Sequence, residues 1–248
     1  MTAMISLVER KKFDARQVYT VASNIWWVGF KDNENTCSHN PYLLVDGHES
    51  LLINPGSRAD KHYQLVKEKI ESITKTSEIE HIVVMHNDPE RCASVSLFEK
   101  LADRNVRIYA PVDIAESIKF FGCNHPIIGL EGGDSIILKS GRTLTFYETP
   151  QLNFAGSGML FDDTTGTLFS GNLFKCPSDD WELYAKAEGW NDIRLYHPDK
   201  IVSKKAFHQT LNKIDHLSPQ RICPHRGQII EENIDKFLTA AREISFEN

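Results

Sequence analysis

The chain contains no Cys-x-x-Cys pair, and its 5 cysteines, at positions 37, 92, 123, 176 and 223, are odd in number. This usage argues against a disulfide framework and fits a reducing compartment. No apolar run approaches the roughly 18 residues that a membrane-spanning helix needs. The opening residues, Met1 to Arg10, lack the basic region and apolar core of a secretory signal. There is no dense stripe of Lys and Arg, and 28 basic residues against 34 acidic ones leave a net charge of -6. A nucleic-acid surface is therefore not expected. No Gly-x-Ser-x-Gly elbow is present, and Gly129, Gly132 and Gly133 form an irregular turn that matches no phosphate-binding loop. These absences point to a cytoplasmic protein with neither nucleic acid nor membrane as partner.

What is present is an ordinary globular composition, 41% hydrophobic and 25% charged over 248 residues. That is enough for one substantial core. Apolar residues from Val18 to Phe30 read as early strands, and Asp32 to Thr36 as a polar loop. Tyr42–Val45 and Leu51–Asn54, joined by Asp46-Gly47, read as a hairpin. Tyr63, Leu65, Val66 and Ile70 have helical spacing, and the unbroken apolar run Ile82–Met85 reads as a strand buried on both faces. Helices are predicted over 93–102, 111–120, 200–217 and 231–244. Short strands at 135–138, 143–148, 158–161, 167–169 and 221–223 complete two sheets with helices outside, in a single domain over 1–248.

The chemistry gathers where the strand Ile82–Met85 ends. His86, Asp88 and Glu90 alternate there, with Pro89 expected to stiffen the loop, and His225 follows another strand, 139 residues downstream. Imidazole and carboxylate suit iron, manganese or zinc. The alternative is a polar loop whose carboxylates cap the next helix, with no metal required. Asn172 lies at the end of a buried strand, as a pocket residue or a plain turn-former. The segment Leu152–Gly158, which contains Asn153, reads as an active-site loop or a simple link. Cys92 is either an oxidant-sensing thiol beside Arg91 or a buried hydrophobe. His39, His48, His62, His81, His197, His208 and His216 are expected at the surface, and His125 most simply so as well.

Several segments together resemble the metallo-β-lactamase superfamily, in particular the diiron domain of flavodiiron proteins and stand-alone oxygen-binding diiron proteins. They are Asn40-Pro41-Tyr42-Leu43, Leu52-Ile53-Asn54-Pro55-Gly56, the cluster at 86–91, Leu152–Gly158, Leu168–Phe174, and His225 near Gly227. The resemblance spans about residues 18 to 245. It implies an α/β, four-layer αββα sandwich. It also implies a metal site drawn from His86, Asp88, Glu90, His225, Asn172 and Asn153.

The departures are specific. The family's first cluster reads His-x-Glu-x-Asp-His. Here Asp88 and Glu90 exchange the carboxylates and Arg91 replaces the second His. Asn153 stands for a family His, Asn172 for the bridging Asp, and Asn54 for an Asp at the preceding turn. A guanidinium cannot ligate and opposes a nearby cation, so Arg91 is expected within salt-bridge reach of Glu90 or Asp88. The cofactor expectation is therefore iron, as one ion or two, or zinc, or an empty salt-bridged pocket.

Three functions follow from the resemblance. One is an oxygen-binding or redox-sensing diiron homologue with an altered site. A metal-poor signalling or interaction scaffold is the second, and a metal-dependent hydrolase the third. No fused flavodoxin domain is expected, so a redox or signalling protein would be a separate partner. A homodimer is the other association considered.

Overall fold

The computed structural model describes residues 13–32, 37–149, 158–175, 182–186, 188–190 and 201–245. In chain order its strands are β1 (Tyr19–Ala22), β2 (Ile25–Trp27), β3 (Phe30–Asp32), β4 (Cys37–His39), β5 (Tyr42–Asp46), β6 (Glu49–Ile53) and β7 (Ile79–Val83). There follow β8 (Arg107–Pro111), β9 (Ile127–Leu130), β10 (Ser135–Ile137), β11 (Thr143–Glu148), β12 (Gly158–Asp162), β13 (Thr167–Gly171) and β14 (Arg221–Pro224). One sheet has the order β1-β2-β5-β6-β7-β8-β9 and the other β10-β11-β12-β13-β14, while β3 and β4 form a separate ribbon. β6 through β9 run parallel, as do β13 and β14.

Alternation along the strands builds the layers. From β5, β6 and β7, the side chains of Leu44, Leu51, Ile53 and Val83 point inward. They meet Phe146, Leu160, Phe169 and Cys223 of the second sheet. The alternate residues Leu43, Leu52 and Ile82 face outward onto Val66, Ile70, Phe98 and Ile118 of the covering helices. On the far side, Met159, Phe161, Leu168 and Ile222 pack beneath Phe207, Leu211, Phe237 and Leu238. These last belong to the helices Lys204–Leu217 and Ile234–Arg242. The result is helix, sheet, sheet, helix, as the resemblance implies.

Two local expectations are corrected. Pro89 does not stiffen a loop. It opens the short helix Pro89–Cys92, where its missing N–H costs nothing, and Asp88 caps that helix by accepting from the Glu90 N–H at 3.2 Å. Gly129 lies inside β9, not in an irregular turn, and a side chain there would press on Val112 at 3.3 Å. Tyr184 forms a parallel bridge to Ile229.

The second sheet carries a buried ion pair. The Arg142 guanidinium donates to both oxygens of Asp162, at 2.8 and 2.7 Å, and Asp162 is fully buried. Asp162 also accepts from the Thr165 N–H at 3.2 Å, which closes the turn between β12 and β13. Asp162→Ala leaves the guanidinium buried without its partner and is expected to cost about 3–5 kcal/mol. Urea unfolding at neutral pH measures this, and a loss below about 1 kcal/mol would show that the pair is not needed.

Candidate functional site

The site lies where parallel strands of both sheets end. β6 delivers Asn54, and the segment after β7 delivers His86, Asp88, Glu90 and Arg91. From the second sheet, β13 delivers Asn172 and β14 delivers His225. Asn54 adopts a left-handed conformation, φ 50°, which Asn tolerates well. Its Oδ1 accepts from the Met85 N–H at 2.9 Å, which joins the ends of β6 and β7.

The loop of His225 is held from the first sheet. Asn40 Nδ2 donates to the carbonyls of Pro224 and Gly227, each at 2.9 Å, and its Oδ1 accepts from Trp27 Nε1 at 2.9 Å. The Tyr42 hydroxyl donates to the Pro224 carbonyl at 2.9 Å, and the Gly227 N–H donates to Ser38 Oγ at 2.8 Å. The segment Asn40-Pro41-Tyr42 therefore fixes the backbone that presents His225.

Three of the predicted residues, His86, His225 and Asn172, meet in two pairs, the second with Arg91. The rings of His86 and His225 stand edge to face with centroids 5.8 Å apart. Arg91, 7% exposed, donates through Nη1 to Asn172 Oδ1 at 3.0 Å. Its Nη2 lies 3.7 Å from Asp88 Oδ2, the salt-bridge reach expected from the sequence. Glu90, the other expected partner, pairs with Arg226 instead. Asn153 lies outside the described residues, as do Cys176 and His197.

The donor set does not suit a dinuclear centre. The Asp88 N–H donates to His86 Nδ1 at 2.9 Å, so the proton of the neutral ring sits on Nε2. Metal on Nε2 requires the opposite tautomer, with Nδ1–H facing an acceptor. Asp88 is engaged as a helix cap, Glu90 as the partner of Arg226, and a guanidinium is buried beside the neutral amide of Asn172. Among the described residues no group of three or more His, Cys, Asp or Glu side chains is placed to hold a metal ion. His225 retains ligand character: it is 3% exposed, and neither ring nitrogen has a hydrogen-bond partner.

Sequence reasoning missed part of this environment. Neither Arg226 nor Lys175 is singled out by the sequence. Both, with Arg91, bear electrostatically on His86. His39 is not at the surface; it is buried and stacks on Phe30 at 4.8 Å, while His62 stacks on the same ring at 4.1 Å. His81 is also buried and shares a 2.7 Å contact with Glu49. His125, on a loop, bonds Glu99 at 2.8 Å. Cys92 is buried, its thiol donates to the Asp88 carbonyl at 3.1 Å, and burial raises its pKa. A thiol so placed is a structural hydrophobe and no oxidant sensor.

Burial, followed by the charge of Arg91, lowers the pKa of His86 to about 3 and moves that of His225 well below its ordinary value. In the unfolded chain both titrate near pH 6.5. Between pH 6.5 and the lowered folded values the unfolded state binds more protons, so stability is present above pH 6.5 and is lost on acidification. Each imidazole contributes up to about 1.4 kcal/mol per pH unit in that window. His225→Gln, which cannot titrate, is therefore expected to show a shallower fall in urea midpoint between pH 7.5 and 5.0. Equal slopes for the two proteins would remove His225 from this account.

Known proteins carry the same architecture. The structure of rubredoxin oxygen:oxidoreductase from Desulfovibrio gigas superposes with a TM-score of 0.78 at 18% identity, over 92% of this chain and 61% of that one. The chemotaxis sensor ODP, in its peroxy diiron species, gives a TM-score of 0.79 at 20% identity, over 92% of this chain and 95% of that one. Anaerobic nitric oxide reductase flavorubredoxin of Enterobacter sp. (strain 638) is 24% identical over 169 residues, which are 62% of this chain and 34% of that protein. The chain spans a little over a third of the length of the curated relatives it matches. Among the described residues, no helix is long and apolar enough to cross a membrane. The ODP family beta lactamase model matches residues 37–227, which takes in the second sheet, the first sheet from β5 to β9 and every strand end of the site, and this chain belongs to that family, as a homologue of the diiron proteins with an altered site.

Proposed function

We propose that this chain is a metal-poor signalling or interaction module on the family's scaffold, and not an oxygen or nitric oxide reductase. The observation that carries the reading is the Arg91 guanidinium, buried between Asp88 and Asn172. A fixed positive charge there repels the ions that a dinuclear centre would gather, and the amide of Asn172 supplies no anion to bridge them. A hydrolase of this superfamily, which relies on a metal-activated water, meets the same obstacle.

Signalling is favoured over catalysis by the company the chain keeps. A relative of matching extent, covered over 95% of its length, is a chemotaxis sensor. A sensor needs a pocket with two states and a partner that reads them, and it does not need turnover.

The reading is tested by iron loading. Protein purified without chelator and supplied anaerobically with ferrous iron is expected to hold less than ~0.2 iron per chain, since a competent site fills when its metal is offered. Near-stoichiometric iron with an oxygen-dependent absorbance change would overturn the proposal. The double variant Arg91→His/Asn172→Asp removes the guanidinium and adds both an imidazole and a carboxylate. Its iron content is expected to rise several-fold above that of the parent. If it stays as low as the parent, Arg91 and Asn172 are not what keeps metal out.

A further inference from the structure

The loop between the helix Val112–Lys119 and β9 is tied down by one carboxylate. Glu99, from the helix Val95–Leu101, is 5% exposed. The Asn124 N–H donates to its two oxygens at 2.8 and 3.0 Å, and the His125 N–H donates to Oε1 at 2.6 Å. The His125 ring closes the arrangement. Its Nδ1 lies 2.8 Å from Glu99 Oε1. Its Nε2 lies 3.0 Å from the carbonyl oxygen of Arg104, in the segment that leads into β8.

Both partners of this ring accept. A main-chain carbonyl has no proton to give, and Glu99 Oε1 already receives two backbone N–H groups. A neutral imidazole carries one N–H, so it serves one partner and turns a lone pair on the other. Only the imidazolium satisfies both. The electrostatics agree: the bond to Glu99, then that to the Arg104 carbonyl, raise the His125 pKa above its ordinary value. Among the described residues, Glu99 is the charged side chain that acts on the ring. Cys123, two residues earlier, also faces Glu99, and burial followed by that charge pushes its thiol up to about 11. On the preceding helix, Glu116 and Lys119 pair with each other at 2.7 Å.

We propose that His125 is a proton-operated latch that joins the start of β9 to the start of β8. As an imidazolium it bridges Glu99 and the Arg104 carbonyl. On losing a proton it keeps Nδ1–H on the carboxylate, the stronger acceptor, and gives up Arg104. The ring is 35% exposed, so it exchanges that proton with solvent without unfolding. The loop it frees leads straight into β9, the edge strand of its sheet. Phe120, 82% exposed, stands at the other end of the loop. The latch lies where the parallel strands begin, and the candidate site where they end, so it stands whether or not that site holds metal. Because the folded pKa is raised, the latch stabilises fully below about pH 6.5 and is lost as pH rises through the folded value.

Nitrogen-15 NMR of the imidazole in the full wild-type chain is the test. Below the midpoint both ring nitrogens are expected to carry protons. Above it Nε2 is expected to shift to the resonance of an unprotonated ring nitrogen while Nδ1 remains N–H. The backbone amides of residues 120–126 are expected to shift with the same midpoint, above the ordinary value near 6.5. In Glu99→Gln, which takes the charge away, the midpoint is expected to fall toward that value. In His125→Gln the pH-dependent shifts of the loop are expected to vanish. A wild-type ring that titrates at or below about 6.5, or that loses its Nδ1 proton first, would overturn the latch. Loop amides that ignore the titration of the ring, or an unchanged midpoint in Glu99→Gln, would overturn it as well. The wild-type reading decides the matter even where a variant fails to fold.

Discussion

Asn40 engages three hydrogen bonds at once, two to the carbonyls on either side of the His225-Arg226 step and one to the indole of Trp27. Most of what is particular to this site depends on that side chain. It is buried, so each bond is made in a medium where leaving it unmade is costly. It also crosses from one sheet to the loop that ends the other. Tyr42, two residues on, repeats the tie to Pro224 from the adjacent strand. With the loop fixed in this way, His225 stays in the interior although neither of its nitrogens is satisfied by the protein. The placement is imposed by the backbone around it, and an imidazole held in that manner is poised for something other than the fold.

Opposite His225, the segment 86–91 has become self-sufficient. Asp88 holds the helix Pro89–Cys92 at its start and sits beside Arg91 at its end, and the Asp88 N–H occupies His86. Arg91 then reaches the other sheet through Asn172. In a metal protein of this architecture, ions would join these groups across the gap. Here a guanidinium makes the connection with its own donors, Nη1 to Asn172 and Nη2 toward Asp88. The exchange of carboxylates at 88 and 90 matters less than this. Asp is the better helix cap, and Glu has the extra methylene with which position 90 meets Arg226.

Much of the fold was legible because its strands are marked by burial. The apolar run at Ile82–Met85 reads as doubly covered since helices lie on one side and a second sheet on the other, although the strand itself is Ile79–Val83 and Val84 and Met85 lie just past its end. The strand β9 was not legible: Gly129 within it is a residue that usually marks turns, and here it serves close packing on Val112. His39 and His81 were misplaced because an isolated histidine carries no signal of depth. What buries them is a stacking ring, Phe30, or a carboxylate, Glu49, from a strand distant in sequence. At the site, the replacements of ligands by Arg91 and Asn172 were visible as letters. Their mutual bond was not, since 81 residues separate them.

The seam between the sheets holds a small cavity, bordered by Asn54 and His225, that has a mechanical character. Asn54 belongs to one half of the sandwich and His225 to the other, and Asn40 already ties the halves a few residues away. A group that bonded both walls would add its binding free energy to the cohesion of the two sheets. A cavity of about 10 Å³ thus lies on the seam itself, with one wall from each half of the sandwich.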